Sequence, residues 1–171
     1  MRRSIQKTTR QIHNDPILHP KERFFFLLEI PRLEDWPSRL SLPSRYFALF
    51  LACDAKGTSD LLIRRMGRKA VRQGMRAAST WGPDCERVHD RLDDAGTALV
   101  SQSTSESVIM TTWHSSESLS KALWFFLHSA FVTGRYSRGC TTWLAVVVGN
   151  SGMASKASRY MQSQGCELHL L

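Results

Sequence analysis

What this chain has little of narrows the field before any motif is read. Its longest apolar run, residues 46–53, falls far short of the roughly 20 residues a bilayer-spanning helix needs, so no membrane span is expected. Cysteine is limited to Cys53, Cys85, Cys140 and Cys166. With no C-x-x-C pair among them, local spacing builds neither a zinc ribbon nor a thioredoxin-like redox motif. Four free thiols and no metal are expected, in a chain large enough to fold without disulfides. The basic residues 1–10 lead into Gln11, His13, Asn14 and Asp15 instead of an apolar stretch, so a secretory signal is not expected and a cytoplasmic location is. Neither a phosphate-binding G-x-x-x-x-G-K-[ST] nor a dinucleotide-type G-x-G-x-x-G is present, and no cofactor is assigned.

What is present is a globular composition, 42% hydrophobic and 22% charged over 171 residues, enough for one well-buried core and too little for two ordinary domains. Four runs rich in apolar, β-branched or aromatic residues, 46–53, 75–81, 108–113 and 143–148, each end in polar residues and are followed by helix-patterned segments. Their starts recur at about the spacing of a βαβ unit, roughly 30 residues. That alternation predicts a three-layer α/β domain with a mostly parallel sheet, flavodoxin-like or Rossmann-like. Numbering the four runs in chain order, the expected strand order is 2-1-3-4, with residues 166–171 forming a final strand on the far edge. Right-handed crossovers would then place the helices after runs 1 and 2 on opposite faces. The domain is expected over residues 46–171, preceded by a basic arm at 1–20 and by an apolar segment and Pro-rich connector at 21–45.

Within residues 21–45, Phe24 to Ile30 reads as a strand or a helix. Pro31, Pro37 and Pro43 then break any regular element, while Trp36 and Leu40 pin the connector to the domain. Residues 102–105 read as a polar loop. The helix at 116–130 has an apolar stripe of Leu119, Ala122, Leu123, Phe126, Leu127 and Ala130, with Ser115 or Ser116 as its cap. Trp124 and Phe125 lie outside the stripe, so this helix is apolar around more than half its circumference; covering by the amino-terminal segment is the plainer expectation, and homo-oligomer contact through this helix is the alternative.

The net charge of +8 is unevenly placed. Arg2, Arg3, Lys7 and Arg10 precede any acid, and Arg64, Arg65, Arg68, Lys69, Arg72 and Arg76 lie between Asp60 and Asp84 with no acid among them. On a helix over 59–73, Arg64, Arg68 and Arg72 fall at i, i+4 and i+8, a stripe that costs a few tenths of a kcal/mol per like-charged pair. The next helix, 83–95, reverses the balance with Asp84, Glu86, Asp90, Asp93 and Asp94. Mutual attraction of two solvated faces is the plainest account. The functional account is an acidic protein partner or anionic ligand held by Arg64, Arg65, Arg68, Lys69 and Arg72. Nucleic acid fits less well, because the aromatic residues fall in core-patterned runs and do not interleave with the bases.

Ligands of parallel sheets sit at the carboxyl ends of the strands, which directs attention to the residues after each run. The turn Cys53-Asp54-Ala55-Lys56-Gly57-Thr58 resembles the haloacid-dehalogenase motif D-x-D-G-T. The resemblance implies Asp54 as nucleophile and Thr111 or Thr112 as the second motif, but Lys56 stands where the family has its general acid, and the late paired acids are missing. An Asp that caps the following helix is the alternative. Cys85 and His89, four residues apart, share a helix face and with Asp54 or His114 could form a catalytic set. Asp84 and Glu86 flank the thiol and disfavour its thiolate, so an inert cysteine is the simpler reading. A metal site through Cys85, His89 and His114 lacks a fourth ligand. The turn Gly149-Asn150-Ser151-Gly152 could cradle an anion or be a plain tight turn. In the expected strand order Trp81 and Trp113 flank run 1, which predicts a ligand pocket of Asp54, Trp81, Asp84, Trp113 and His114, with Asn150 nearby.

The segments Trp81-Gly82-Pro83-Asp84-Cys85-Glu86-Arg87-Val88-His89-Asp90 and Met110-Thr111-Thr112-Trp113-His114 resemble a small bacterial domain-of-unknown-function family, over residues 46 to the carboxyl terminus. That resemblance implies no activity, cofactor or partner. With no complete catalytic set, the functional expectation is a non-catalytic binding module acting through the basic stripe. A small-molecule enzyme, of hydrolase or phosphoryl-transfer type, with its site at the strand ends is the alternative.

Overall fold

A computed structural model describes residues 23–100 and 108–171; the basic arm expected at 1–20 and the polar loop at 102–105 lie outside the described residues. One six-stranded sheet, parallel throughout, is built from β1 (Phe24–Ile30), β2 (Tyr46–Ala52), β3 (Met75–Trp81), β4 (Met110–His114), β5 (Cys140–Val148) and β6 (Leu168–Leu170). Four helices cover it: α1 (Asp60–Arg72), α2 (Cys85–Val100), α3 (Leu119–His128) and α4 (Ser151–Ser163). Central β2 shows why both layers exist. Its side chains alternate, Phe47, Leu49 and Leu51 joining one core cluster with Ile63, Met66 and Leu92, and Ala48, Phe50 and Ala52 joining the other with Leu123, Phe126 and Met161. Among the described residues, no helix is long and apolar enough to cross a membrane.

The strand order is β4-β3-β2-β5-β1-β6, which corrects the expected 2-1-3-4. In that expectation the run at 108–113 lay beside the run at 46–53, whereas here β3 separates β4 from β2. The consequence for the helices is also the reverse of what was expected. The chain steps from β2 to β3 to β4 in one direction, and right-handed crossovers therefore leave α1 and α2 on the same face. They pack side by side there, so closely that a Cβ on Gly67 would stand 2.9 Å from Leu92 Cδ2. From β4 the chain returns past β3 and β2 to β5, which puts α3, and then α4, on the opposite face. Phe24–Ile30 is a strand, and it lies inside the sheet between β5 and β6. The final strand consequently pairs with β1, not with β5.

The connector from β1 to β2 runs over the α1 face. Leu33 and Trp36 are buried in it, and the Trp36 indole donates to Gln73 Oε1 at 2.7 Å, at the carboxyl end of α1. The helix caps follow local chemistry: Ser59 accepts from Leu62 N, Ser118 from Lys121 N and Asn150 from Met153 N. Ser118 thus caps α3, where Ser115 or Ser116 was expected, because that helix begins at Leu119, the first residue of its apolar stripe, and not at 116. Phe125 packs its ring 4.8 Å from that of His114, while Trp124 stays half exposed.

Candidate functional site

Successive α-helical residues turn by about 100°, so the six bases between Asp60 and Asp84 cannot share one role. Arg64 points toward α2, its Nη2 lying 3.2 Å from Asp94 Oδ2. Lys69 turns the other way and donates to Trp36 O at 3.0 Å. Arg76, beyond the helix, donates to Val71 O and Met75 O and stacks its guanidinium on Tyr46 and Tyr136. Arg65, Arg68 and Arg72 remain on the outer face of α1, exposed and without a hydrogen bond or ion pair among the described residues. Leu61, 78% exposed, lies in the same row. The stripe expected at Arg64, Arg68 and Arg72 is therefore displaced by one position at its start: Arg64 ties two helices together and Arg65 takes its place.

The acids of α2 divide in the same way. Arg87 binds Asp60 at 2.6 Å and Asp84 at 2.7 Å, and Arg91 binds Asp60 at 3.0 Å and Asp94 at 2.7 Å. The hydrogen bond from Arg87 holds the Asp60 carboxyl below its usual range, and the bonds to Asp84 and Asp60 raise the Arg87 guanidinium. Turned away from α1, Glu86, Asp90 and Asp93 are exposed and have no Lys or Arg partner among the described residues. Asp90 meets His89 Nδ1 at 3.1 Å, and Asp93 accepts from Thr111 Oγ1 at 3.3 Å. One face of the domain thus carries a neutralised seam between α1 and α2, with a cationic row that meets no acid on one side and an anionic row that meets no Lys or Arg on the other, among the described residues.

A second feature lies where β2 and β5 adjoin. Their following loops leave toward opposite faces, α1 on one and α4 on the other, which is the switch point where open α/β sheets form a crevice. An open crevice of roughly 500 Å³ occupies it, lined among others by Leu33, Glu34, Asp54, Thr58, Ser59 and Gly149. Asp54 lines it and is exposed, with Oδ1 accepting from Lys56 N at 3.1 Å, an Asx turn leading into α1. Asn150, next to Gly149, spends its side-chain oxygen on the α4 cap, 2.9 Å from Met153 N.

The remaining residues expected at the strand ends do not gather around Asp54. Register pairs Trp81 with His114 and Thr80 with Trp113, so the two indoles point to opposite faces of the sheet. Trp81 donates to Glu117 O at 2.8 Å on the α3 side; Trp113, 46% exposed, packs against His89 at 4.6 Å between ring centroids on the α2 side. His114 is buried with Nδ1 2.7 Å from Glu117 Oε2, and Asp84, held at φ 63° in the turn before α2, binds Arg87. Cys85 is fully buried, its thiol pushed up by that burial, and His89 bonds Thr111 Oγ1 at 3.0 Å. The pocket expected between Trp81 and Trp113 depended on β4 adjoining β2, and it fails with that order. Among the described residues, no group of three or more His, Cys, Asp or Glu side chains is arranged to hold a metal ion. Sequence reasoning located Asp54 and the Gly149 turn but missed the rim at Leu33 and Glu34. Its signal was Pro31 closing the apolar run at Ile30, a strand end like the others.

Compared with known proteins, the chain matches the model of a family described as Domain of unknown function (DUF7684), over residues 27–164. The match begins within β1, so the segment before residue 46, outside the resemblance drawn from sequence, belongs in part to the same unit. Neither a curated protein nor a solved structure matches the chain.

Proposed function

Because the chain belongs to this domain-of-unknown-function family, whose description assigns no activity, we propose its function from its own surface: a non-catalytic binding module that engages an acidic protein through the outer face of α1. The observation that carries this reading is the sorting of the bases. Arg64, Lys69 and Arg76 are consumed in structural contacts, while Arg65, Arg68 and Arg72 stand together without a counter-charge among the described residues. Such a row repels itself by a few tenths of a kcal/mol per neighbouring pair, a cost that an acidic surface relieves. Contacts of this kind steer association and weaken as salt screens them. Three of the four unpaired thiols are buried, in keeping with a cytoplasmic setting as part of the same proposal.

The test is binding of a fluorescein-labelled octaglutamate peptide, followed by anisotropy, to the native chain and to the variant R65E/R68E/R72E. The native chain should bind at about 50 mM NaCl and lose at least tenfold in affinity by about 300 mM. The variant should lose binding and keep its melting temperature. Unchanged affinity in the variant removes α1 from the account.

The crevice supports a second reading, a small-molecule site at the strand ends. Of the candidate catalytic residues only Asp54 borders it. A thermal-shift screen of small metabolites against the native chain and Asp54→Asn tests this reading, which requires a stabilising compound whose effect the substitution removes.

A further inference from the structure

We infer that the acidic surface engaged by α1 belongs to a second copy of this chain, with Arg65, Arg68 and Arg72 of each copy facing Glu86, Asp90 and Asp93 of the other. The inference rests on the proposed use of α1 and names its partner. Its basis is charge complementarity within one surface. Three exposed bases lack an acid and three exposed acids lack a Lys or Arg partner among the described residues, Asp90 meeting only His89, and the two rows lie on neighbouring helices of the same sheet face.

The two rows do not neutralise each other within one molecule because the seam between the helices is already filled. Asp60, Arg87, Arg91, Arg64 and Asp94 pair across it, and the free rows point outward and apart. A two-fold axis lying in the interface, parallel to the helices and midway between them, places α1 of one copy over α2 of the other. It does so twice, once for each copy. Such an isologous contact closes on itself and stops at the dimer. Leu61, in the basic row, supplies an apolar contact at its edge. Two helices per copy give a footprint below the roughly 800 Å² per partner of a standard stable interface, so the dimer is weak, salt-sensitive and concentration-dependent.

Sedimentation velocity on the full chain, from about 10 µM to 1 mM, tests this at about 50 and 500 mM NaCl. The native chain should shift from monomer to dimer with rising concentration at low salt and remain monomeric at high salt. The variants R65E/R68E/R72E and E86K/D90K/D93K should each be monomeric alone, since each places like charges in contact. Mixed one to one they should form a heterodimer, and a chain carrying all six substitutions should dimerise again. Where the lysine variant fails to fold by circular dichroism, E86Q/D90N/D93N takes its place, expected monomeric. A native chain that stays monomeric throughout, a triple variant that still dimerises, failure of the mixture to recover the dimer, or species larger than a dimer overturns the inference. A monomeric native chain that still binds octaglutamate through α1 sinks only the self-association. Octaglutamate binding indifferent to reversal of α1 sinks the proposed function itself.

Discussion

Replacing Gly82 by alanine should weaken the domain more than almost any other single-methyl addition. Gly82 opens the turn out of β3 at φ +114°, and a Cβ there would stand 2.2 Å from the Cys53 carbonyl oxygen and 3.1 Å from its carbon. The conformation alone costs an L-residue about 1–2 kcal/mol. A backbone oxygen cannot rotate out of the way, so the end of β2 must move as well, and the total reaches about 3 kcal/mol or more. That movement disturbs a tightly tied region, because Cys53 N donates to Trp81 O, Ala55 N to Pro83 O, and Cys85 N to Gly82 O. Against a total stability of about 5–15 kcal/mol the variant should still fold. Urea unfolding followed by tryptophan fluorescence reads the loss. With a slope of about 2 kcal/mol per molar, the midpoint should fall by about 1.5 M. Gly57→Ala is the control, since nothing lies within 4 Å of the added methyl and its φ is not positive; it should be neutral or stabilise by up to about 1 kcal/mol. Equal midpoints for the two variants would refute the close approach of the β3 turn to the end of β2.

Two further predictions concern titration and thiol chemistry. Asp60 is held low by its bond from Arg87, so that pairing stabilises the fold above the ordinary carboxylate pKa and stops doing so as pH falls through the lower folded value. Asp60→Asn should therefore melt below the native chain at about pH 7 and level with it near pH 2; a gap of equal size at both pH values contradicts the pairing. Burial pushes the Cys53 and Cys140 thiols up to about 12 and raises Cys85. Iodoacetamide on the native chain should reach half-buried Cys166 first and the other three only after unfolding, whereas rapid labelling of Cys85 would make it a candidate nucleophile again.

Local pattern carried the elements well and the sheet order only in part, with β3 beside β2 as read but β4 and β5 misplaced. The span 75–81 is β3 as read, and Gly165, with φ +79°, follows α4 as its C-cap glycine. Those features depend on neighbours in sequence. Which strand lies beside which depends on segments tens of residues apart, and the apolar run of β4 carries nothing that prefers β2 over β3. The site inherited that gap. With β4 misplaced beside β2, Trp113 and His114 were drawn toward Asp54, while the true neighbour, β5, brought only the Gly149 turn. Phe24–Ile30 added a second difficulty, since seven apolar-rich residues fit a strand or a helix equally until a place in the sheet is known. The sorting of α1 bases was half legible: helical spacing separates faces, but only the position of α2 shows that Arg64 is the one consumed.

Mapping the bound surface residue by residue tests the central claim, that binding belongs to the outer face of α1, most directly. The full chain labelled with ¹⁵N would be titrated with octaglutamate at low salt and its amide shifts followed. Perturbations should concentrate at Leu61, Arg65, Arg68 and Arg72 and vanish at about 500 mM NaCl. Perturbations confined to the crevice around Asp54 or to β4, with α1 unmoved, would contradict the claim.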